Sequence, residues 1–399
     1  MNVLLVVPWD NLGGVCGVVN HVALHLRERG HGAFLMLPGE SDTPQWGESR
    51  LGLPAVRLNL RPIHVPGAGL RGPAAFVAYA PLKQWRLRKL FRELEIDVVN
   101  VHFPHAASLH FAIARHVGGP RLVMSVHGAD LLPYNIAPSK RHHSVNLALS
   151  AADALASPSR SFLDVAATTW PILTRRPTYV IPNGVDPDEL GYDPEAPWGE
   201  TQPPYVLAVA TLVAYKGVDI LIRAFALVAD AHPALRLRLV SDGPDRVALE
   251  ALASELGIRG RVDFLRTLER HEVARELRGA TLFVLPSRSS SESFGIAAAE
   301  AMAVDRAVIG SAVGALPEMI EHDRTGLLVP PGNHEALAVA MRLALSDRQL
   351  RERLGRAAGI RVRRDYRWSR TGAEYESLLL RVARGDAAPP SSSAPSQST

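Results

Sequence analysis

Hydrophobic residues along this chain fall into two rhythms. Short continuous runs, "VLLVVP" (3–8), "IDVVNVH" (96–102), "RLVMSVHG" (121–128), "ALASPS" (154–159) and "TYVIPNGVD" (178–186), have the length and β-branched content of buried strands. Between them lie segments of helical period. In the first, "VVNHVALHLRERG" (18–30), Val19, Val22, Ala23 and Leu26 share a face. The alternation restarts beyond "PEAPWGETQPP" (194–204), with "YVLAVATL", "LRLRLVSDG", "RVDFL", "TLFVLPS", "AVIGS" and "TGLLVPP" separated by helical patterns such as "VDILIRAFALVADA". Alternating strands and helices in both halves predict an α/β protein of two parallel-sheet domains. The expected organisation is a first domain over 1–190, a linker over 191–204 and a second domain over 205–365. A helical stripe of Tyr375, Leu378, Leu379 and Val382 predicts a closing helix over 366–383, and the Pro/Ser/Ala-rich segment 384–399 reads as a disordered tail.

Composition narrows the class. Of the 399 residues, 47% are hydrophobic and 21% charged, as in a soluble globular protein. No apolar run reaches the ~20 residues of a membrane-spanning helix. "MNVLLVVPWD" lacks a basic leader and reads as a first strand rather than a signal peptide. A single cysteine, Cys16, excludes an internal disulfide and a multi-cysteine metal site, and together these features favour the cytoplasm. The net charge of +4 resides in residues 1–190, a surplus small enough to be solvated surface, and no nucleic-acid partner is expected.

Candidate chemistry gathers where strands give way to loops. In "ESFGIAAAE" (292–300), Glu292 falls in a loop after an apolar strand and Glu300 about two turns into the following helix. That spacing puts the carboxylates on the order of 10 Å apart, too far to share a proton but suited to two contacts with one long ligand. Gly13 and Gly14, between the first strand and first helix, would let backbone approach an anion, although such a turn is often only a turn. Lys216 follows a strand in "VATLVAYKGVD", where a lysine could neutralise a diphosphate or simply sit at the surface. His127 and Gly128 end another strand, where a buried, locally bonded histidine is the plainer reading.

The order of these motifs carries more than any one of them. Gly13-Gly14 before "LRERGH", "SVHGAD", "ASPS", "IPNGVD", "KGVDILIRAF", "SDGP", the Glu292–Glu300 span and "GALPEMI…TGLLVPPGN" occur in sequence over roughly residues 2–380. In this the chain resembles the retaining glycosyltransferases of the GT-B fold, family 4, which have two facing Rossmann-like domains. The resemblance implies a nucleotide-sugar donor as substrate, with no metal and no other cofactor. Glu292 would face the donor hexose, Glu300 the ribose hydroxyls, and backbone amides around Phe294, Gly295 and Ile296 the sugar and diphosphate. His127 would lie near the transferred sugar, while Lys216 would stabilise the departing diphosphate. The reaction implied is front-face substitution, in which a leaving phosphate oxygen helps deprotonate a glycan, lipid-linked or small-molecule acceptor. Members with this ending send the final helix back across the cleft to the first domain.

Several positions depart from the family pattern. Ala210 and Thr211 replace a Gly-Arg pair whose arginine joins the lysine on the diphosphate, and Arg288 is the expected substitute cation. Ser241, Arg266 and Ala315 stand where the family has glycines. An enzyme of reduced activity, a non-catalytic nucleotide-sugar-binding subunit and a sugar-nucleotide epimerase of the same fold are the alternatives. A separate question concerns "PLKQWRLRKLFRELE" (81–95). Its stripe of Leu87, Leu90, Phe91 and Leu94, with basic neighbours and Trp85, would suit either the core or peripheral contact with an anionic membrane.

Overall fold

The computed structural model describes residues 1–9, 14–50, 52–62, 71–132, 140–195 and 201–387. Contacts divide the chain into two compact units: Met1–Ile181 with the chain from Thr371 onward, and Pro182–Arg370. Both are α/β.

In the first unit, the strands are β1 (Asn2–Val6), β2 (Gly32–Pro38), β3 (Gln45–Glu48), β4 (Pro54–Leu58), β5 (Val98–His102), β6 (Arg121–Ser125), β7 (Ala154–Ser157) and β8 (Thr178–Val180). They form a sheet of order β3-β4-β2-β1-β5-β6-β7-β8, parallel except for the edge pair β3 and β4. The apolar runs become central strands because crossover helices cover both faces. Leu4, Val6, Val99, Val101, Leu122, Met124 and Leu155 meet helix residues Leu87, Leu90, Phe91, Phe111 and Phe162 in one core. Leu87, Leu90 and Phe91 lie on the helix Arg71–Glu93 and are buried, with Leu94 packed against the same cluster. The core, not a membrane surface, therefore occupies that stripe.

In the second unit, β9 (Tyr205–Val209), β10 (Arg236–Val240), β11 (Val262–Leu265), β12 (Leu282–Leu285), β13 (Val308–Ser311) and β14 (Leu327–Val329) form an all-parallel sheet of order β11-β10-β9-β12-β13-β14. Strand order leaves β9 beside β12, although 76 residues separate Lys216 from Glu292 in the loops that follow them.

The boundaries differ from those read in the sequence. The units part at Ile181–Pro182, and residues 182–190 belong with the second. Val185 donates its amide to Tyr366 O at 2.8 Å, and Leu190 joins the second unit's core. The stretch 191–204 is not a free linker where it is described. The Tyr192 hydroxyl bonds Asp305 at 3.0 Å, and Thr201 gives both its amide and its hydroxyl to Gly279 O. Residues 196–200 lie outside the described residues.

The closing helix runs Trp368–Ala383, but its first turn stays with the second unit. Tyr366 likewise remains there, its ring centroid 5.6 Å from that of Phe294 in an edge-on arrangement. From Thr371 onward the helix packs in the first unit, burying Tyr375, Leu378, Leu379 and Val382. Glu376 bonds His25 and His31 at 3.0 Å each. Of the tail over 384–399, residues 388–399 lie outside the described residues. Arg384–Ala387 are ordered against the first unit, with the Tyr179 hydroxyl on Ala387 O at 3.3 Å.

Candidate active site

The second unit's candidate residues collect at the carboxyl ends of its strands, where ligands bind in open parallel sheets. Beyond β9, a tight turn over Ala214–Lys216 leads into Gly217 and the helix Val218–Ala229. Gly217 is left-handed, φ +66°, and a Cβ there would lie 2.1 Å from Pro286 O. Only glycine lets this turn rest against the loop after β12, where the Arg288 amide donates to Tyr215 O at 2.8 Å. The close approach brings Lys216 Nζ to 2.8 Å from Glu292 Oε2, and the Ser287 hydroxyl donates to the same oxygen at 2.8 Å.

Glu292 is fixed through its backbone as well. Its carbonyl accepts the Ala315 amide at 3.1 Å, and a Cβ on Gly314 would lie 2.1 Å from that oxygen. Burial by itself would raise the Glu292 carboxyl, but Lys216, Ser287 and the Gly295 amide outweigh it and hold the group below the usual range. Burial lowers the Lys216 ammonium, yet Glu292 and Tyr215 more than reverse this, so Lys216 stays charged. The pair is a carboxylate and an ammonium, not two neutral groups.

Gly295, φ +86°, turns the chain into the helix Ile296–Ala303. The first amides of a helix have no acceptor within it, which together with the dipole favours an anion. Phe294 is buried against Tyr366 and the core, so its side chain packs and only its backbone can meet a ligand. Glu300 is the fifth residue of this helix, just over one turn in rather than two. It is buried and ion-paired with Arg270, which also lies 3.6 Å from Glu189. Each acid thus has its own cation.

Arg288 pairs with Asp219, in the first turn of the helix Val218–Ala229. To substitute for the missing arginine it would first have to leave that carboxylate. Thr211 is exposed. Ala315 sits at φ −81°, ψ −8°, ordinary helical backbone that asks nothing of glycine. Ser241 differs: its φ of +111° belongs to glycine's territory. A cavity of ≈340 Å³ lies at the opposite, amino ends of the strands, lined by Pro204, His232, Leu235, Thr281 and Arg351 among others, and includes none of these candidates.

His127 belongs to the first unit, in the loop after β6. Its amide donates to both Asp130 oxygens at 3.1 and 3.0 Å, and its Nε2 lies 3.0 Å from His102 Nδ1. Burial pushes His127 down to about 3 and, with the facing His127 ring, His102 well below the ordinary histidine value. Burial raises Asp130 to about 7, against the opposing pull of four backbone amides. Gly14, φ +55°, opens the first helix, Gly14–Glu28, while Gly13 lies outside the described residues. Sequence reasoning missed Ser287, Arg270, His102 and Asp130. "SVHGAD" contained the last of these, and Ser287 lies five residues before its partner Glu292 in the same loop; His102 and Arg270 meet partners on other elements, 25 and 30 residues away. Among the described residues, no group of three or more His, Cys, Asp or Glu is placed to hold a metal ion.

Two α/β units, one with a lysine, two separately paired acids and a glycine-started helix at its strand ends, define a two-domain enzyme of the GT-B type. The sequence family described as Glycosyltransferase Family 4 matches residues 12–189, and that described as Glycosyl transferases group 1 matches residues 195–361. The chain belongs to these glycosyltransferases. Among relatives, it is 27% identical over 324 residues to the GDP-mannose-dependent alpha-(1-6)-phosphatidylinositol monomannoside mannosyltransferase of Mycolicibacterium smegmatis, covering 78% of this chain and 83% of the relative. Its fold matches sucrose-phosphate synthase from Thermosynechococcus elongatus, with TM-score 0.79, 22% identity and coverage of 96% and 100%. It also matches Anabaena HepE in complex with UDP and glucose, with TM-score 0.73, 21% identity and coverage of 95% and 99%.

Two predictions follow from local geometry and charge. Ser241→Gly relieves a left-handed strain at the cost of some backbone entropy, and should stabilise the protein by on the order of 1 kcal/mol in urea unfolding. The second concerns acid. Between about pH 4 and 6.5 the unfolded chain protonates His102 and His127 while the folded protein does not, so their stabilisation is lost as pH falls. Asp130 acts oppositely, because the folded protein retains its proton up to about 7. Two histidines against one carboxyl leave a net difference of about one proton, or about 1.4 kcal/mol per pH unit from these groups. Asp130→Asn should steepen the slope of unfolding free energy against pH to about two protons in that window.

Proposed function

We propose that the protein transfers a hexose from a nucleotide-sugar donor to an acceptor with retention of anomeric configuration, and without a metal. The observation that carries this reading is the Lys216–Glu292 ion pair beside the amino end of the helix Ile296–Ala303. A diphosphate at that helix end would meet backbone amides and the charged Lys216 ammonium. Glu292, already held by Ser287, would orient the hexose hydroxyls, and Glu300 would exchange Arg270 for the ribose diol. Lys216 then stabilises charge as it gathers on the leaving phosphate. The bond from the anomeric carbon to phosphate oxygen breaks, and the acceptor oxygen bonds on the same face. The acceptor's proton passes to the departing phosphate, so no enzyme nucleophile is required. His127, from the first unit, serves the transferred sugar. Gly13, Gly14, Thr211 and Arg288 remain donor-side candidates on this reading, with Arg288 first having to leave Asp219.

The donors to test first are GDP-mannose, named for the mannosyltransferase relative, and UDP-glucose, which the structural neighbour HepE also holds in a further complex. Glu300→Ala should weaken nucleotide sugar and free nucleoside diphosphate alike, by about 1.5–3 kcal/mol in calorimetric titration. Lys216→Ala should lower both diphosphate affinity and kcat. Glu292→Ala should lower kcat while leaving free-diphosphate affinity near the parent value. Parent-rate transfer by Glu292→Ala would defeat the assignment, and release of free nucleoside diphosphate without transfer to an acceptor would favour the epimerase alternative.

The acceptor is proposed to be lipid-linked, gathered at an anionic membrane by the outer face of the helix Arg71–Glu93. Val77 is 69% exposed and Trp85 57%, and they share that face with Leu82, Arg88, Lys89 and Arg92. An apolar half followed by a basic half suits the lipid–water boundary. The protein should sediment with phosphatidylserine vesicles but not with phosphatidylcholine vesicles, and Trp85→Glu should abolish this without changing thermal stability. Equal sedimentation with both lipids, or none, would remove the membrane from the reading.

A further inference from the structure

We propose that His102 is a positioning residue that holds His127 in the neutral tautomer protonated at Nδ1. Its catalytic consequence rests on the reading above that His127 meets the transferred sugar; the tautomer itself rests on geometry alone.

The two rings come from neighbouring parallel strands. His102 ends β5 opposite Ser125 of β6, and His127 follows two residues later. Their centroids are 5.2 Å apart with planes at 25°, and His102 Nδ1 lies 3.0 Å from His127 Nε2. One of these nitrogens must donate and the other accept. His102 is fully buried, and its Nε2 has no hydrogen-bond partner among the described residues. If His127 donated, His102 would carry its proton on Nε2, a buried N–H without an acceptor. If His102 donates from Nδ1, only a lone pair goes unmatched. Orphaned buried N–H groups are the rarer case in folded proteins. His102 Nδ1–H therefore donates, His127 Nε2 accepts, and the His127 proton sits on Nδ1.

The donor ring is itself held. Tyr375 of the closing helix lies 5.6 Å from it, and the Tyr375 hydroxyl is bonded to Ser125, which exchanges hydrogen bonds with Asn100 at 3.1 and 3.2 Å. The chemical consequence is specific. With Nε2 occupied, His127 does not take the acceptor's proton through that nitrogen. Its other nitrogen carries an N–H and can only donate, as to a hydroxyl oxygen of the sugar.

The test uses the full chain labelled with ¹⁵N at histidine. Long-range proton–nitrogen spectra, assigned through His102→Phe and His102→Asn, should give a pyridine-type Nε2 and a pyrrole-type Nδ1 for His127. A pyrrole-type Nε2 in the parent protein would overturn the assignment whatever the activity. In kinetics with whichever of GDP-mannose and UDP-glucose the parent turns over, His102→Phe should lower kcat on the order of 10–100-fold, with KM and free-diphosphate affinity nearly unchanged. His102→Asn, whose amide N–H can stand where Nδ1–H stands, should recover much of the loss. Equal loss in both variants, or none in either, would reject positioning through this hydrogen bond. Parent-rate turnover by His127→Ala would instead overturn the functional reading of His127, with the spectra still deciding the tautomer.

Discussion

The second unit is arranged around the salt bridge between Lys216 and Glu292. Two loops from non-consecutive strands must come close enough for a lysine to reach a buried carboxylate, and each close approach excludes a side chain. Gly217 lets the lysine turn touch Pro286, and Gly314 lets its own loop cover the Glu292 carbonyl. Gly295 then turns the chain into a helix, and its own amide reaches the same carboxylate. A buried charge is expensive alone, so the lysine and the acid require each other. The glycines are the means by which the backbone permits it.

That arrangement also sets how the unit would accept a ligand. Glu292 and Glu300 are both satisfied by cations, Lys216 and Arg270, and Asp219 holds Arg288. On the proposed reading, a donor would enter by exchange of ion-pair partners rather than by filling an uncompensated charged site. Its diphosphate would share Lys216 with Glu292, and its ribose would compete with Arg270. Such exchange favours a ligand that presents an anion and a diol together over one that presents either alone.

Much of this architecture was legible because parallel strands buried on both faces are written as unbroken apolar runs. "TLFVLPS" and "YVLAVATL" announce β12 and β9, and the motifs at their ends locate Lys216 and Glu292. Their adjacency is not written there, because periodicity reports that a strand exists and not which neighbour it takes. The same limit hid His102 and Arg270, each meaningful only through a partner on another element. Edge strand β3 is four exposed residues, "QWGE", with no apolar pattern to betray it. The apparent linker was misread because proline-rich composition marks irregular backbone, which here is bonded to Gly279. The passage between units falls instead at "IPNG", where a Cβ on Gly184 would lie 2.4 Å from the Trp368 nitrogen. Ser241 shows the converse: a residue whose type conflicts with its backbone is visible as a departure in sequence, but only the φ angle says that this one carries strain while Ala315 does not.

The first unit is discontinuous, built from the chain before Pro182 and the chain after Arg370. A ribosome therefore releases all of the second unit before it can supply the helix that covers Tyr375's partners in the first. At about 5–20 residues per second, the intervening stretch occupies on the order of 10–40 s. During that interval the nascent first unit has its sheet but lacks Leu378, Leu379 and Val382, and Tyr375 is not yet against His102. The contiguous second unit can close on itself first, so the order of maturation on the ribosome would invert the order of the sequence. The histidine pair would acquire its final surroundings only when the helix Trp368–Ala383 arrives.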